Sequence, residues 1–550
     1  MTQESTKFKK YAWKQVFTIL CIGGIILEAF FLPKIFEILR QKGLAGRYNS
    51  ILRSRLMLST SRDTNHSLEI RDDGFMSAVY YANWSPYSSR THFPHDIDYR
   101  QISHVYYAFF VVDPKSGECY SSDPWADSQM DVYKQMTFSS KELRFPQEKD
   151  PKITAQNSSA QAQLPMGCLG ELFYLKYTDF MISKGGPPKV NNFKTVMSVG
   201  GWSNRDAFKS LVDDKHKLEK FVTSCVDNMF KYGFDGIDID WEFPKNDSKE
   251  PQVYLEMMRL LRGKLDELEK SIFGPSQKHS DHFILTTAIP ADPLNLEHLP
   301  LGHVNQFVDY FNLMAYDFSG SWSERTAYHS NLFDAAHEHK RDGVDHSHNL
   351  NADNAVKMLI NKFQITSKKV VLGMPAYGRG FRKIRLAEKE AYNGFGNGAM
   401  VINRQYSGIK GSNNGEKGIS SYTMLPPVGY MEFFDSTAVS AFCIKPVPFG
   451  RKTSVFVYDN PDSMTRKAQY VLKNELAGGF WWESSGEPYN NPRRSLTRTF
   501  TQEVGVLNKQ DPTIYSSPRV AQYYLARYPH GFLSCILSSE TRSLQHPEAN

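Results

Sequence analysis

The feature that most constrains this chain of 550 residues is a rhythm of eight short apolar runs. They are MSAVYYANW (76–84), HVYYAFFVV (104–112), KTVMSVGGW (194–202), GFDGIDIDWEF (233–243), HFILTTAI (282–289), QFVDYFNLMAYD (306–317), KKVVLGMPAYG (368–378) and AGGFWWE (477–483). Helical patterns lie between several of them, for example at 216–231 and 250–272. Strands alternating with helices imply βαβ units and a parallel sheet. Eight such strands predict an α/β fold of the (β/α)8 TIM barrel type, which can exceed 400 residues when it carries insertions. Two long interruptions, about 113–166 and 379–452, break the spacing. A doubly wound open sheet is the fold alternative, but no glycine-rich phosphate fingerprint follows the first run. The spacing is too irregular for a solenoid.

The chemical centre is the segment Asp235-Gly-Ile-Asp238-Ile-Asp240-Trp-Glu242. Side chains of a strand alternate faces, so Asp238, Asp240 and Glu242 point one way, roughly 6.8 Å apart in sequence pairs. Ile237, Ile239 and Trp241 point the other way. In a barrel the apolar set packs against helices and the acidic set lines the interior. Three interior carboxylates are costly unless protonated, paired or bound to something. A row of oxygens could hold a divalent cation, but a strand lacks the loop that turns them inward. Glu242 falls at the C-terminal end of its strand, where barrel enzymes place catalysis. Acid catalysis is the reading these residues favour.

Further motifs stand in a fixed order along the chain. DGIDIDWE resembles the D-x-x-D-x-D-x-E signature of family 18 glycoside hydrolases, the chitinases. Ser198-Val-Gly200-Gly201-Trp202 resembles the S-x-G-G motif of the third barrel strand. Met314-Ala-Tyr316-Asp317 resembles the sixth-strand M-x-Y-D, with Trp322 following. Tyr377-Gly378-Arg379 resembles the seventh-strand Y-G-R, and Gly479–Glu483 the eighth-strand segment, with its Trp aligned to Trp482. Tyr80-Tyr81 and Ala108-Phe109 resemble the first two strands. The resemblance covers 74–508, and the interruption at 379–452 resembles the α+β insertion that deepens the cleft in many chitinases. Glu487 stands where relatives often have Asp.

The resemblance implies hydrolysis of β-1,4 bonds between N-acetylglucosamine units by a retaining, substrate-assisted route, which the two-carboxylate scheme treats as an exception. Glu242 is then the general acid. Asp240 orients the 2-acetamido group, Asp238 shares a proton with Asp240, and Tyr316 donates to the acetamido oxygen. Trp482 forms the floor under the distorted sugar, and Trp202 and Trp322 are stacking platforms. Asp317 and Arg379 bind sugar hydroxyls, and Tyr81, Phe109, Met314 and Tyr377 complete the substrate-binding set. No metal or organic cofactor is implied. The partner is chitin or its oligosaccharides, with the chain acting as a monomer. A sugar-binding lectin and an endo-β-N-acetylglucosaminidase are the alternatives on the same barrel.

The ends read differently. Residues 1–14 are basic, with Lys7, Lys9, Lys10 and Lys14, and 15–33 are apolar except Gln15 and Glu28. That order marks a signal peptide or an uncleaved anchor. Its unbroken core, Val16–Leu27, has signal-peptide length, and extension to Leu32 reaches the lower edge of a spanning helix. Four basic residues precede it and five follow before position 54, so charge does not set orientation. Sequons at Asn65, Asn83, Asn157 and Asn246 lend slight support to a luminal or extracellular catalytic part, or to secretion after cleavage, although Asn83 falls in an expected strand, a poor place for a glycan. Residues 34–73 read as a tether, and 509–550 as a tail of open role. Net charge, 65 − 59 = +6, is too small an excess to argue for nucleic acid. Six cysteines are too few for a disulfide framework.

Overall fold

The computed structural model describes most of residues 74–537. Residues 1–73 and 538–550 lie outside the described part, as do 89, 133–164, 183–191, 247, 275–281, 336–349, 386–400, 411, 414–415, 448–450, 510–513 and 535–536. The apolar segment 15–33 is therefore outside it. Among the described residues no helix is long and apolar enough to cross a membrane.

Eight parallel strands form the centre: β1 (Met76–Ala82), β2 (His104–Val112), β3 (Lys194–Gly200), β4 (Gly236–Asp240), β5 (Ile284–Pro290), β6 (Tyr310–Met314), β7 (Val370–Pro375) and β8 (Gly478–Trp482). Each pairs with the next, and β1 pairs with both β2 and β8, so the sheet closes on itself. Closure removes the edges that an open sheet must protect. Around it stand α1 (Gly167–Ile182), α2 (Lys215–Tyr232), α3 (Glu250–Phe273), α4 (Ala352–Asn361), α5 (Pro461–Lys473), α6 (Leu496–Val504) and α7 (Pro518–Arg527).

The alternation along each strand sorts side chains into two cores. Outward residues such as Val79, Tyr107, Val199, Ile237, Ile239 and Leu313 pack against the helices. Inward residues such as Met76, Tyr80, Tyr106, Val196, Val371 and Phe480 fill the barrel. Helix α2 shows how sequence fixes a member of the outer layer. Asp214 caps its N-terminus by accepting from Lys217 N–H, and Gly233, at φ 80°, ends it in the left-handed conformation that glycine adopts freely. Between these ends Leu218, Phe221, Val222, Cys225, Val226, Met229 and Phe230 form the buried stripe.

A second, antiparallel sheet rises between β7 and α5. Its strands are 409–410, Tyr377–Arg385, Lys452–Tyr458, Ser440–Ile444 and Met431–Asp435 in spatial order. It spans Tyr377 to Tyr458, wider than the 379–452 read from the sequence. Tyr377 and Arg379 therefore sit on its first strand, beyond the end of β7 at Pro375, and not on the seventh barrel strand.

The segment after 508 also packs on the barrel. Tyr515 Oη donates to the carbonyls of Phe230 and Phe234 at 3.3 and 3.1 Å, and Tyr524 Oη to that of Lys231 at 2.7 Å. Leu533 and Leu537 join the outer core. These contacts lie at the entry end of β4, opposite the end that carries Glu242. At the same end Lys176 is buried against Asp235, with its ammonium 3.1 Å from Thr195 Oγ1.

Candidate active site

The acidic row stands as its spacing predicts. Asp238 and Asp240 face the interior from β4, while Ile237, Ile239 and Trp241 join the outer core, where Trp241 stacks on Phe208 at 5.0 Å. Glu242 follows two residues beyond the strand, half-buried at the open end. The two glycines of the third-strand motif make room for this row. A Cβ on Gly200, whose φ is 124°, would lie 2.2 Å from the Asp240 carbonyl oxygen. One on Gly201 (φ 83°) would meet the Phe109 ring at 2.5 Å.

Asp238 is fully buried and accepts four hydrogen bonds. Tyr80 Oη and Ser198 Oγ donate to Oδ2 at 2.9 and 2.8 Å. Thr286 Oγ1 and Asn312 Nδ2 donate to Oδ1 at 2.6 and 3.3 Å. Burial raises its pKa, and these four donors pull against that rise. Asp240 has no such support: its Oδ1 is buried without a hydrogen-bond partner. Burial, then the charges of Glu242 and Asp238, drive its pKa well above the usual carboxylate range. A proton is therefore retained within the row, since the neutral form escapes both penalties.

Burial, then the charge of Asp317, push the Glu242 carboxyl up to about 7, against the opposing pull of the Trp202 backbone N–H and Arg205. A carboxyl with that pKa at an open mouth is poised to give up a proton near neutrality. Tyr316, packed beside Phe480 and Tyr377, keeps its proton because of burial and the nearby charges of Asp240 and Glu242. It is a permanent O–H donor next to the row.

Asp317 adopts a positive φ of 59°. Its Oδ1 accepts from Tyr377 Oη at 2.6 Å and from Arg379 Nε at 2.7 Å. Burial alone would raise its pKa, but His329 and Arg379 outweigh that and hold it well below the usual range. It is thus a fixed negative charge near Glu242. Trp482, at the end of β8, stacks with Phe109 at 5.6 Å and lies 5.6 Å from Tyr80. Met314 packs in the same interior cluster. Trp202 and Trp322 stand 59% and 58% exposed, more than a core indole would.

One expected residue lies elsewhere. Tyr81 faces the helices: its Oη donates to the His92 carbonyl at 3.0 Å and lies 3.6 Å from Cys168 Sγ. Tyr80 takes the interior place. Both are fully buried aromatics, so strand phase alone separates them, and phase is set by the register Tyr80↔Tyr106 with β2. Thr286 and Asn312 are site residues that the sequence motifs do not single out. Asn312 also donates to Tyr80 Oη at 3.1 Å. The signal for both is faint: a polar residue on the inward phase of an otherwise apolar strand. Glu487 is buried at the N-terminus of α6, accepting from Ser495 Oγ at 2.6 Å and Thr497 Oγ1 at 3.1 Å, a capping role. Asn83 donates its amide to Ser122 and Asp127 and is 1% exposed, which removes it as a glycan acceptor.

Among the described residues no group of three or more His, Cys, Asp or Glu side chains is arranged to hold a metal ion. Asp238 has already spent its oxygens on neutral hydroxyl and amide donors.

Comparison with known proteins agrees with this geometry. The chain is 41% identical over 527 residues to a sporulation-specific chitinase 2 of Saccharomyces cerevisiae, covering 94% of each chain. It is 32% identical over 415 residues to an endochitinase 1 of Metarhizium robertsii, covering 75% of this chain and 82% of that one. The catalytic domain of a psychrophilic chitinase B from Arthrobacter shares the fold, with a TM-score of 0.62 at 21% identity over 80% of this chain and 97% of that one. A chitinase of Cycas revoluta solved in complex with (GlcNAc)3 gives a TM-score of 0.54 at 20% identity, over 78% and 99%. The description of glycosyl hydrolases family 18 matches residues 76–487, and with the acidic row, the glycine pair and the closed barrel in place, the chain belongs to that family.

Proposed function

We propose that this protein is a chitinase that cleaves β-1,4 bonds between N-acetylglucosamine units with retention of the anomer. The carrying observation is Glu242: a carboxyl pushed up to about 7 at the open end of the barrel, two residues past Asp240. The curated chitinases named above support the substrate class.

In the first step the Glu242 carboxyl donates its proton to the bridging oxygen as that bond breaks. The carbonyl oxygen of the substrate's own 2-acetamido group attacks the anomeric carbon from below, so no enzyme nucleophile is needed. Asp240, high in pKa and with one oxygen unpartnered, turns to accept the acetamido N–H and faces the positive charge that develops on the ring formed. Tyr316 donates to the acetamido oxygen and holds it under the sugar. Asp238 takes the proton that Asp240 releases when it becomes charged, as the Ser198 or Tyr80 hydroxyl turns away from Oδ2 to make room for it. In the second step water attacks the anomeric carbon from the vacated side, and Glu242 takes back the proton. Two inversions give net retention. Trp482, Phe109 and Met314 form the floor; Trp202 and Trp322 offer faces for neighbouring sugars; Asp317, Tyr377 and Arg379 form the polar wall.

Tyr81, placed among the helices, is left out of this set. We further propose that the protein acts as a monomer, and that 15–33 carries it into or across a membrane so that the barrel works outside the cytoplasm.

Turnover of chitotetraose and chitohexaose by wild type and Glu242→Gln tests the central reading. The variant is expected to lose on the order of 10² or more in kcat while still binding the oligomer. Equal turnover removes Glu242 from the mechanism. Binding by wild type without cleavage points to a lectin, and release of intact N-glycans in preference to chitin cleavage points to an endo-β-N-acetylglucosaminidase.

A further inference from the structure

Three tryptophans around the cleft each carry an arginine. The guanidinium carbon of Arg90 lies 5.8 Å from the Trp84 ring centroid, that of Arg205 4.1 Å from Trp202, and that of Arg379 4.6 Å from Trp322. Arg90 reaches Glu483 at 3.4 Å and Arg379 reaches Asp317 at 2.7 Å, so a carboxylate holds each of these. Arg205 is anchored on the platform itself, with Nη1 donating to the Trp202 carbonyl at 2.6 Å. Its stack on Trp202 is the tightest of the three. Two ties to one residue fix both the guanidinium plane and the indole it covers.

The location adds a second consequence. Trp202 follows Gly201, whose N–H donates to the Asp240 carbonyl at 2.9 Å, so platform and acidic strand are joined through the backbone. The Trp202 backbone and the Arg205 charge both draw the Glu242 carboxyl down against the rise that burial imposes. One arginine thus borders both an exposed indole and the proton donor. An indole that is 59% exposed has little core packing to hold its ring in one orientation. A planar cation attracted to one face of the ring supplies that hold and leaves the opposite face to a sugar.

We propose that Arg205 is a positioning residue: it holds the Trp202 indole as a fixed stacking surface for the sugar next to the bond being cut, and places a positive charge beside the proton donor. This rests on the reading of Glu242 as general acid. The two functions of Arg205 separate chemically. Lysine keeps the charge but lacks the flat, bidentate guanidinium; methionine keeps an apolar stem and loses both.

The test is steady-state kinetics of the full chain on chitotetraose from pH 4 to 9, for wild type, Arg205→Lys and Arg205→Met. Both variants are expected to raise KM about three- to tenfold, the worth of one cation–ring stack. Only Arg205→Met should also move the alkaline limb of the kcat/KM profile, upward by roughly half a pH unit, because loss of a nearby positive charge lets the carboxyl keep its proton longer. Wild-type KM in both variants, with an unmoved limb, overturns the proposal. So does a loss of thermal stability that leaves KM and the limb in place. If wild type itself fails to cleave chitotetraose, the acid reading fails. Calorimetric binding of chitotetraose then still judges the platform, and equal affinity of wild type and both variants overturns it.

Discussion

Raising the pH through neutrality is the perturbation that reads the site most directly. Burial and the Asp317 charge place the Glu242 carboxyl at about 7. A general acid works only while protonated. About half the enzyme carries that proton at pH 7, about a tenth at pH 8 and about a hundredth at pH 9, so kcat/KM should fall close to tenfold per unit on the alkaline side. Asp317→Asn supplies the control on cause. It removes a negative charge that raises the carboxyl and frees Arg379 from its partner. Both changes favour ionised Glu242, so the limb should move down, by roughly half a unit or more. Initial rates on chitotetraose, separated by chromatography at each pH, give the profile, and circular dichroism at pH 9 excludes unfolding. A rate constant to pH 9 in wild type, or an upward shift in Asp317→Asn, would refute the assignment of the proton to Glu242.

Three further perturbations address what surrounds the site. Asp238→Asn replaces an acceptor of four hydrogen bonds by a group with two donors of its own, so kcat should fall roughly 10- to 100-fold and the melting temperature should drop. Lys176→Met removes the buried partner of Asp235, and chemical denaturation should show a loss of about 3–5 kcal/mol. Unchanged stability would mean that the pair adds nothing net to folding. His282 is raised to about 9, first by its hydrogen bonds to Asp309 and Glu269. A raised folded-state pKa gives stability that is full below the unfolded value near 6.5 and is lost as pH rises through about 9. The melting temperature should decline between pH 7 and 9.5 in wild type, and less steeply in His282→Gln.

The eight runs and the acidic row were legible because both depend on local alternation. A strand two residues out of phase is still in phase, so DGIDIDWE places three acids on one face whatever surrounds it. The glycine pair at 200 and 201, the Tyr316-Asp317 step and Trp482 were legible as a linear order of motifs. Other features belong to contacts between distant segments. Tyr80 and Tyr81 are chemically alike, and only the register of β1 against β2 decides which enters the barrel. The four donors to Asp238 come from β1, β3, β5 and β6, which are 40 to 158 residues away in sequence. The same holds for Tyr515 and Tyr524, whose hydroxyls reach α2 from a segment with no periodic signal of its own.

The order of residues alone determined the eight barrel strands, their alternation with helices and the identity of the acids, since pleat and helix periods act over neighbouring residues. Tertiary structure decided which acid titrates near neutrality. Asp238, Asp240 and Glu242 are equivalent as free carboxyls, and they part only because barrel closure gives one four donors, leaves one bare and sets the last at the mouth beside Asp317, Trp202 and Arg205. Desolvation and through-space charge depend on distances that no stretch of sequence contains.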